Sequence, residues 1–261
     1  MSQAGIFKDD YHSSTVIICD IHTVDVASVG SNTVAQSGKY GINAGFFDSG
    51  VLLSIACSSG GLSVYTGGHR NAKTRGTMVC YKLPDGNFGV EVPVIGLFSE
   101  FKKPENSSIQ WAVGGYSLHL ESTDTPEIFM NKLQESEKTQ GISNVFQGGF
   151  SHRSAIGYRR EDKKIVLASF YCSSVLEVRN VLKNAYKCDI AIMLDGGGSS
   201  QISGVEPSLI SSRNPRGIYH ENYSNGNRGI YSMVTVNSSK WGDVRSLIKS
   251  TTESKTMSRS C

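Results

Sequence analysis

Proline is scarce in this sequence: there are 6 in 261 residues, against 28 glycines. Low-complexity, disordered chains are usually rich in both, so these glycines read as tight turns and close backbone approaches. Long apolar runs are also missing. No stretch approaches the roughly 20 apolar residues of a membrane-spanning helix. The segment Met1 to Asp10 is polar and carries no apolar core of the kind found in a secretory leader. That points to a cytoplasmic or phage-associated setting rather than secretion. An excess of one charge is absent too: 26 basic residues stand against 23 acidic ones, for a net charge of +3. The pairs Lys102-Lys103, Arg159-Arg160 and Lys163-Lys164 are too sparse for a nucleic-acid-binding stripe and read as solvated edges. No C-x-x-C pair and no H-x-x-x-H pair occurs, which argues against a zinc ribbon and against catalytic zinc.

The composition is that of an ordinary globular chain, with 38% hydrophobic and 19% charged residues. The six cysteines are Cys19, Cys57, Cys80, Cys172, Cys188 and Cys261. Cys19, Cys57, Cys80 and Cys172 lie in apolar runs and are expected to be buried, reduced thiols. The length allows one large domain with a full core. No internal repeat or linker divides it.

The first half reads as short strands bounded by Gly, Ser or Asn: Thr15 to Ile21, Tyr40 to Asn43, Val51 to Cys57, Leu62 to Tyr65 and Thr77 to Leu83. Pro84-Asp85-Gly86 predicts a hairpin turn after Leu83, because proline presets φ and glycine accepts a positive one. Ile109 to Val113 and Tyr116 to Leu120 flank Gly114-Gly115, which implies a hairpin or a sharp bend. Glu121 to Gly148 is the most polar stretch and reads as a surface excursion, with a short helix over Ile128 to Gln134. Arg153 to Tyr158 and Lys164 to Tyr171 predict a second hairpin. A helix from Ser174 to Tyr186 follows from the spacing of Val175, Val178, Val181, Leu182 and Ala185, with Ser173 or Ser174 as its N-cap. Ile190 to Leu194 is an apolar strand, and Gln201 to Gly204 is expected to pair back. Ile230 to Val236 closes the strands. Asp243 to Lys249 reads as a short helix and Thr251 to Cys261 as a frayed end. The fold class is α+β: a single domain of mixed, mainly antiparallel β-sheet with few helices, and one parallel crossover between Lys164 and Leu194. Its boundaries fall at residues 15 and 249, between an N-terminal segment (1–14) and a disordered tail (250–261).

Three clusters carry chemistry. In Gly41-Ile42-Asn43-Ala44-Gly45-Phe46-Phe47-Asp48, an amide ends an apolar strand among small residues. It can donate to a ligand oxygen or accept from a hydroxyl. Asp48 can bind a sugar hydroxyl, a metal or a backbone turn. In Ser151-His152-Arg153-Ser154-Ala155-Ile156-Gly157-Tyr158, a guanidinium opens a strand and offers forked donors to a phosphate or carboxylate. Strand alternation puts His152 on the opposite face. In Leu194-Asp195-Gly196-Gly197-Gly198-Ser199-Ser200-Gln201, an apolar strand ends in a carboxylate, three glycines and two hydroxyls. Exposed glycine amides can wrap an anion. The last cluster is not a P-loop, a dinucleotide fingerprint or a nucleophile elbow.

In that order and spacing, "GINAGFFD", "RSAIGY" and "MLDGGGSS" resemble the phosphodiester glycosidase family. Trp111 to Leu118 resembles the family's central Gly-Gly segment. The resemblance runs from about Thr15 to Val236. It implies a phosphodiester glycosidase-like fold and hydrolysis of the bond between a sugar's anomeric carbon and a phosphate. On that basis Arg153 and the amides of Gly196 to Ser199 hold the phosphate, and Asp195 faces the reacting carbon. Asn43 and Asp48 orient sugar hydroxyls, and Gly45, Gly115, Gly198 and Ser200 line the substrate. A second carboxylate, if one is required, is Asp20, Asp48 or Glu221, in falling order. No cofactor is required. Ca²⁺ or Mg²⁺ is open without a clear motif, through oxygen ligands from Asp20, Asp48 or Asp195. The expected partner is a small-molecule or glycan phosphodiester, with no nucleic acid and no membrane span. Three other readings stay open. One is a glycan- or nucleotide-binding module that does not cleave. Another is a hydrolase of a different phosphodiester, such as a cell-wall polymer or a nucleotide-derived signal. The third is a structural virion component.

Overall fold

The computed structural model describes residues 5–137, 149–223 and 228–237. In chain order, β1 (Ile6–Asp9) and β2 (Ser14–Asp20) form a hairpin, followed by β3 (Val24–Ser28) and β4 (Gly41–Asn43). Next come the two-residue strands β5 (Phe47–Asp48) and β6 (Val51–Leu52), then β7 (Ala56–Ser58) and β8 (Leu62–Ser63). The long β9 (Arg70–Lys82) precedes β10 (Phe88–Glu91), β11 (Val94–Leu97), β12 (Ser108–Gly114) and β13 (Tyr116–Ser117). Helix α1 (Pro126–Ser136) leads toward the hairpin of β14 (Ser151–Arg159) and β15 (Lys164–Ser173). Helix α2 (Val175–Asn180) precedes β16 (Ile190–Met193), β17 (Gln201–Val205), β18 (Ile218–Asn222) and β19 (Ser232–Val236).

The strands build three sheets and one small ribbon, β5-β6. The first sheet runs β1-β2-β15-β14-β16-β13, the second β10-β9-β12-β7-β8 with β11 also on β9, and the third β18-β17-β4-β19-β3. Every ladder between these strands is antiparallel. β15 and β16 flank β14 and both oppose it, so the passage through α2 joins two strands that run parallel without touching. The mixed, mainly antiparallel class with few helices is what the sequence predicts.

The first sheet is buried on both faces, which explains its unbroken apolar runs. Ile17, Ile165, Leu167, Ile156 and Ile192 point toward the other two sheets, meeting Met78, Trp111, Ile42, Ile202 and Val234 in the main core. Val16, Val166, Ala168, Phe170 and Met193 face the helices, against Phe129 and Leu133 of α1 and Val175, Val178 and Leu182 beyond β15. Both helices start where side chains satisfy orphan amides. Thr125 caps α1 with Pro126 in its first turn, and Ser174 and Glu177 form a reciprocal capping box on α2.

Several expectations shift. The helix expected from Ser174 to Tyr186 is regular only to Asn180; a wider turn over Val181–Ala185 completes it. Val51 to Cys57 is two strands, because buried Ser54 breaks the run to accept from the Phe46 amide at 3.0 Å. Gly114-Gly115 is a bend and no hairpin: it carries the chain from β12 in the second sheet to β13 in the first. β17 pairs with β18 and β4 rather than back on β16. β1 lies ahead of the boundary expected at residue 15 and pairs with β2. Cys19, Cys57, Cys80 and Cys188 are free and buried. Cys172 is buried as expected but disulfide-bonded, since apolar neighbours foretell burial and not redox pairing. The helix expected at Asp243 to Lys249, the frayed end after Thr251 and residues 138–148 of the polar stretch lie outside the described residues. No helix is long and apolar enough to cross a membrane among the described residues.

Candidate active site

The three sheets meet where β16 ends. Leu194 donates its amide to the Ser154 carbonyl at 2.7 Å, and Asp195 donates to the Ala44 carbonyl at 3.1 Å, so the chain passes from the first sheet to the third. Asn43, fully buried at the end of β4, fixes this crossing. Its Nδ2 donates to the Asp195 carbonyl at 2.8 Å and, more weakly, to the Ala44 carbonyl at 3.4 Å. Its Oδ1 accepts from the Ser154 hydroxyl at 2.7 Å and the Gln201 amide at 3.1 Å. Two donors and two lone pairs are the amide's whole capacity. The expectation that Asn43 orients a sugar hydroxyl is therefore corrected: it positions the Asp195 loop.

The Asp195 carboxyl is pushed up to about 6. Burial is the main cause; the Ser199 hydroxyl, the Arg228 charge, the Gly196 amide and the Arg75 charge act in the opposite direction. The Gly196 amide donates to the carboxylate at 3.0 Å. Gly197, at φ +58°, then starts a tight turn in which the amides of Ser199 and Ser200 return to the carbonyls of Gly196 and Gly197, both at 3.1 Å. Gly197 and Gly198 donate to no carbonyl or side chain among the described residues. The Ser199 and Ser200 hydroxyls are buried and make no well-formed hydrogen bond there. Ser199 nevertheless lies close enough to the carboxylate to lower its pKa.

Arg153 is beside this loop: a Cβ added to Gly196 would stand 3.8 Å from its Cα and Cδ. The guanidinium is buried, which lowers its pKa, and it is directed at main-chain oxygens. Nε donates to the Ser173 carbonyl at 3.1 Å and Nη2 to the Gly149 carbonyl at 3.0 Å. His152 turns elsewhere, stacked on Tyr223 at 4.1 Å and near Tyr171 at 5.0 Å.

Gly45 and Gly115 act through close backbone approach. A side chain on Gly45 would strike Ser54 and the Gly114 carbonyl, and one on Gly115 would strike the Met193 carbonyl. Asp48 is exposed in a two-residue hairpin whose turn residues, Ser49 and Gly50, both have positive φ. Asp20 pairs with Lys164 at the far end of the first sheet. By strand registers it lies about six residues, or roughly 20 Å, from Asp195, which removes it as the second carboxylate. Glu221 pairs opposite Ile202, and Tyr223 just after it donates to the Ser200 carbonyl at 3.2 Å. The last-ranked carboxylate is thus nearer the loop than the first.

Four contributors were not singled out in the sequence. Arg75, on β9, is buried between the rings of Phe46 and Tyr116, with its Cζ 4.9 Å from each centroid. The Tyr116 hydroxyl is buried, and desolvation pushes its pKa up to about 12. Arg228 lies 5.2 Å over Phe47 and its charge reaches Asp195. Glu137, fully buried after α1, accepts from the Gly76 amide at 2.8 Å and the Ser117 amide at 3.0 Å. A charged residue followed by glycine at the edge of an apolar strand marks Asp195. The same signal stands at Arg75-Gly76, and nothing comparable marks Glu137.

Among the described residues no three His, Cys, Asp or Glu side chains assemble as a metal site. Two clefts, of about 450 Å³ around Lys8, Glu206 and Tyr219 and about 560 Å³ around Ser117, His119 and Arg160, are not lined by Asp195. Neither collects the glycine amides and perturbed carboxyl found at the β16 end.

The catalytic domain of zebrafish N-acetylglucosamine-1-phosphodiester alpha-N-acetylglucosaminidase, auto-inhibited by its pro-peptide, has a similar fold. The TM-score is 0.58 at 18% identity, over 90% of this chain and 81% of that one. An exported protein of Burkholderia pseudomallei is also similar, with a TM-score of 0.52 at 12% identity, over 85% and 73%. At these identities the likeness is one of fold. No curated protein sequence matches. The family model described as phosphodiester glycosidase matches residues 37–236, from before Asn43 through the Asp195 loop to the end of β19, and the chain belongs to that family.

Proposed function

We propose that the protein hydrolyses the bond between a sugar's anomeric carbon and a phosphodiester oxygen, with Asp195 at the reacting centre. The observation that carries this reading is a carboxyl held at about 6 beside two glycine amides with no acceptor among the described residues. Near neutral pH the group is mostly ionised yet still basic enough to take a proton. Acting as base, Asp195 removes a proton from water as the water oxygen bonds to C1. The C1–O bond breaks, and the phosphate leaves with the bonding pair. Acting instead as nucleophile, Asp195 forms the bond to C1 itself and water later displaces it. A phosphate leaves as a stable anion, so charge stabilisation matters more than a general acid. The Gly197 and Gly198 amides suit that task. Arg153 contributes mainly by holding the ends of β14 and β15 against Gly196, and Glu221 is the preferred second carboxylate.

The test is release of reducing sugar from a panel of sugar-1-phosphodiesters and nucleotide-sugars. Turnover by the native chain, reduced at least ~100-fold in Asp195→Asn, is expected for loss of a preorganised charge contact. Binding without product across the panel would instead favour a non-cleaving module.

A further inference from the structure

Arg75 is only 5% exposed, yet its Nε and Nη1 have no hydrogen-bond acceptor among the described residues. A buried guanidinium normally spends its donors on carboxylates or carbonyls. The two flanking rings, edge to face at 5.1 Å, attract the cation but accept no in-plane hydrogen bond. The backbone on either side is fixed. Gly76 donates to Glu137 at 2.8 Å and accepts from the Gly115 amide at 2.8 Å. Gly115 in turn abuts the carbonyl of Met193, two residues before Asp195. The Arg75 charge lowers the Asp195 pKa and that of Tyr116, whose buried hydroxyl also has no hydrogen-bond partner among the described residues.

We propose that Arg75, aided by the Tyr116 hydroxyl, is the side-chain anion-binding element of this site, beside the Gly197 and Gly198 amides. It takes the phosphate oxygens of a substrate whose sugar faces Asp195. Forked, unspent donors on a rigid strand match a tetrahedral oxyanion. Arg153, by contrast, directs Nε and Nη2 at main-chain carbonyls. The assignment rests on the hydrolase reading and deepens it: an anionic leaving group is selected over a neutral aglycone.

The probe is inorganic phosphate, titrated calorimetrically into the full chain. Arg75→Gln is expected to weaken binding at least ~30-fold, within the range for a lost charged hydrogen bond. Arg75→Lys keeps the charge but loses the fork, and should weaken it about tenfold. Tyr116→Phe, which keeps the ring, should weaken it about fivefold. In Arg75→Gln the Asp195 titration, followed by carboxyl ¹³C NMR, moves to higher pH, and in Arg75→Lys it stays. A merely structural arginine would give no such split. If Arg75→Gln does not fold, the lysine and phenylalanine variants decide. The proposal is overturned if the folded variants bind phosphate as the native chain does, or if the native chain binds none. Loss of phosphate binding in the variants, with no sugar released from any phosphodiester by the native chain, sinks the hydrolase reading and leaves the anion site standing. Intact turnover with Arg75-independent binding does the reverse.

Discussion

Asn43 donates its side-chain amide to the main-chain carbonyl of Asp195 at 2.8 Å, and so ties the third sheet to the exit of the first. Asn43→Ala strands the Ser154 hydroxyl, the Gln201 amide and that carbonyl in the core. Buried groups left unpaired cost roughly 1–3 kcal/mol each. We expect about 3 kcal/mol or more of lost stability in urea unfolding, with kcat falling alongside it. A variant as stable as the native chain would show that the amide is dispensable.

The raised carboxyl of Asp195 makes a pH prediction with a definite sign. Its folded value, about 6, exceeds the ordinary 3.8, so the folded chain holds the proton more tightly than the unfolded one. The stability this confers is complete below about 3.8 and is lost as pH rises through about 6. The total is on the order of 3 kcal/mol. Asp195→Asn should remove that slope between pH 4 and 6 and be the more stable protein at pH 7. Turnover, which needs the ionised group, should climb through the same interval. Parallel stability curves for the two proteins would count against burial as the cause.

Glu137 spans two strands by accepting from Gly76 and Ser117. Glu137→Gln turns one acceptor into a donor facing an amide. We expect a loss of about 2 kcal/mol, read as a lowered melting temperature. Because Arg75 and Tyr116 are the immediate neighbours of those amides, KM should rise as well. A change in Tm with unaltered KM would confine Glu137 to folding.

Two glycines should respond differently to alanine. Gly86 lies at φ +87° in the β9–β10 turn with open space around it, so Gly86→Ala costs only about 1 kcal/mol and leaves turnover intact. Gly115 has the Met193 carbonyl in the way. Gly115→Ala must push β13 off β16, at about 3 kcal/mol, and should depress kcat. Equal losses for both would mean that the bend yields more readily than its packing suggests.

The strands and their turns are legible in the sequence because each rests on local chemistry. Pro84-Asp85-Gly86 dictates its hairpin, and Leu83 indeed accepts from Gly86 at 2.9 Å. Asp195 stands out as a candidate because a carboxylate at the end of an apolar strand, followed by three glycines, has no simple packing role. What escapes is everything set by which strand meets which. Gly114-Gly115 announces a bend but not that the chain changes sheets there. Asn43 shows a polar group at a strand end but not that four partners consume it. Asp20 carries the right functional group, and only sheet register reveals that it stands at the wrong end. Arg75 lies just ahead of the strand expected over Thr77 to Leu83, and Glu137 lies in the polar excursion beyond the helix expected over Ile128 to Gln134. Their burial depends on contacts with other elements, Arg75 with Phe46 and Tyr116, and Glu137 with Gly76 and Ser117.

The junction of three sheets means that this centre has no private scaffold. Asp195 emerges from one, Asn43 from another and Arg75 from a third, so no excised piece of the polypeptide can hold the group together. Heat or denaturant should extinguish turnover on the same curve that releases Trp111, which is buried in β12 on the shared interior. On the proposed reading, turnover then serves as a gauge of how much of the population is fully folded.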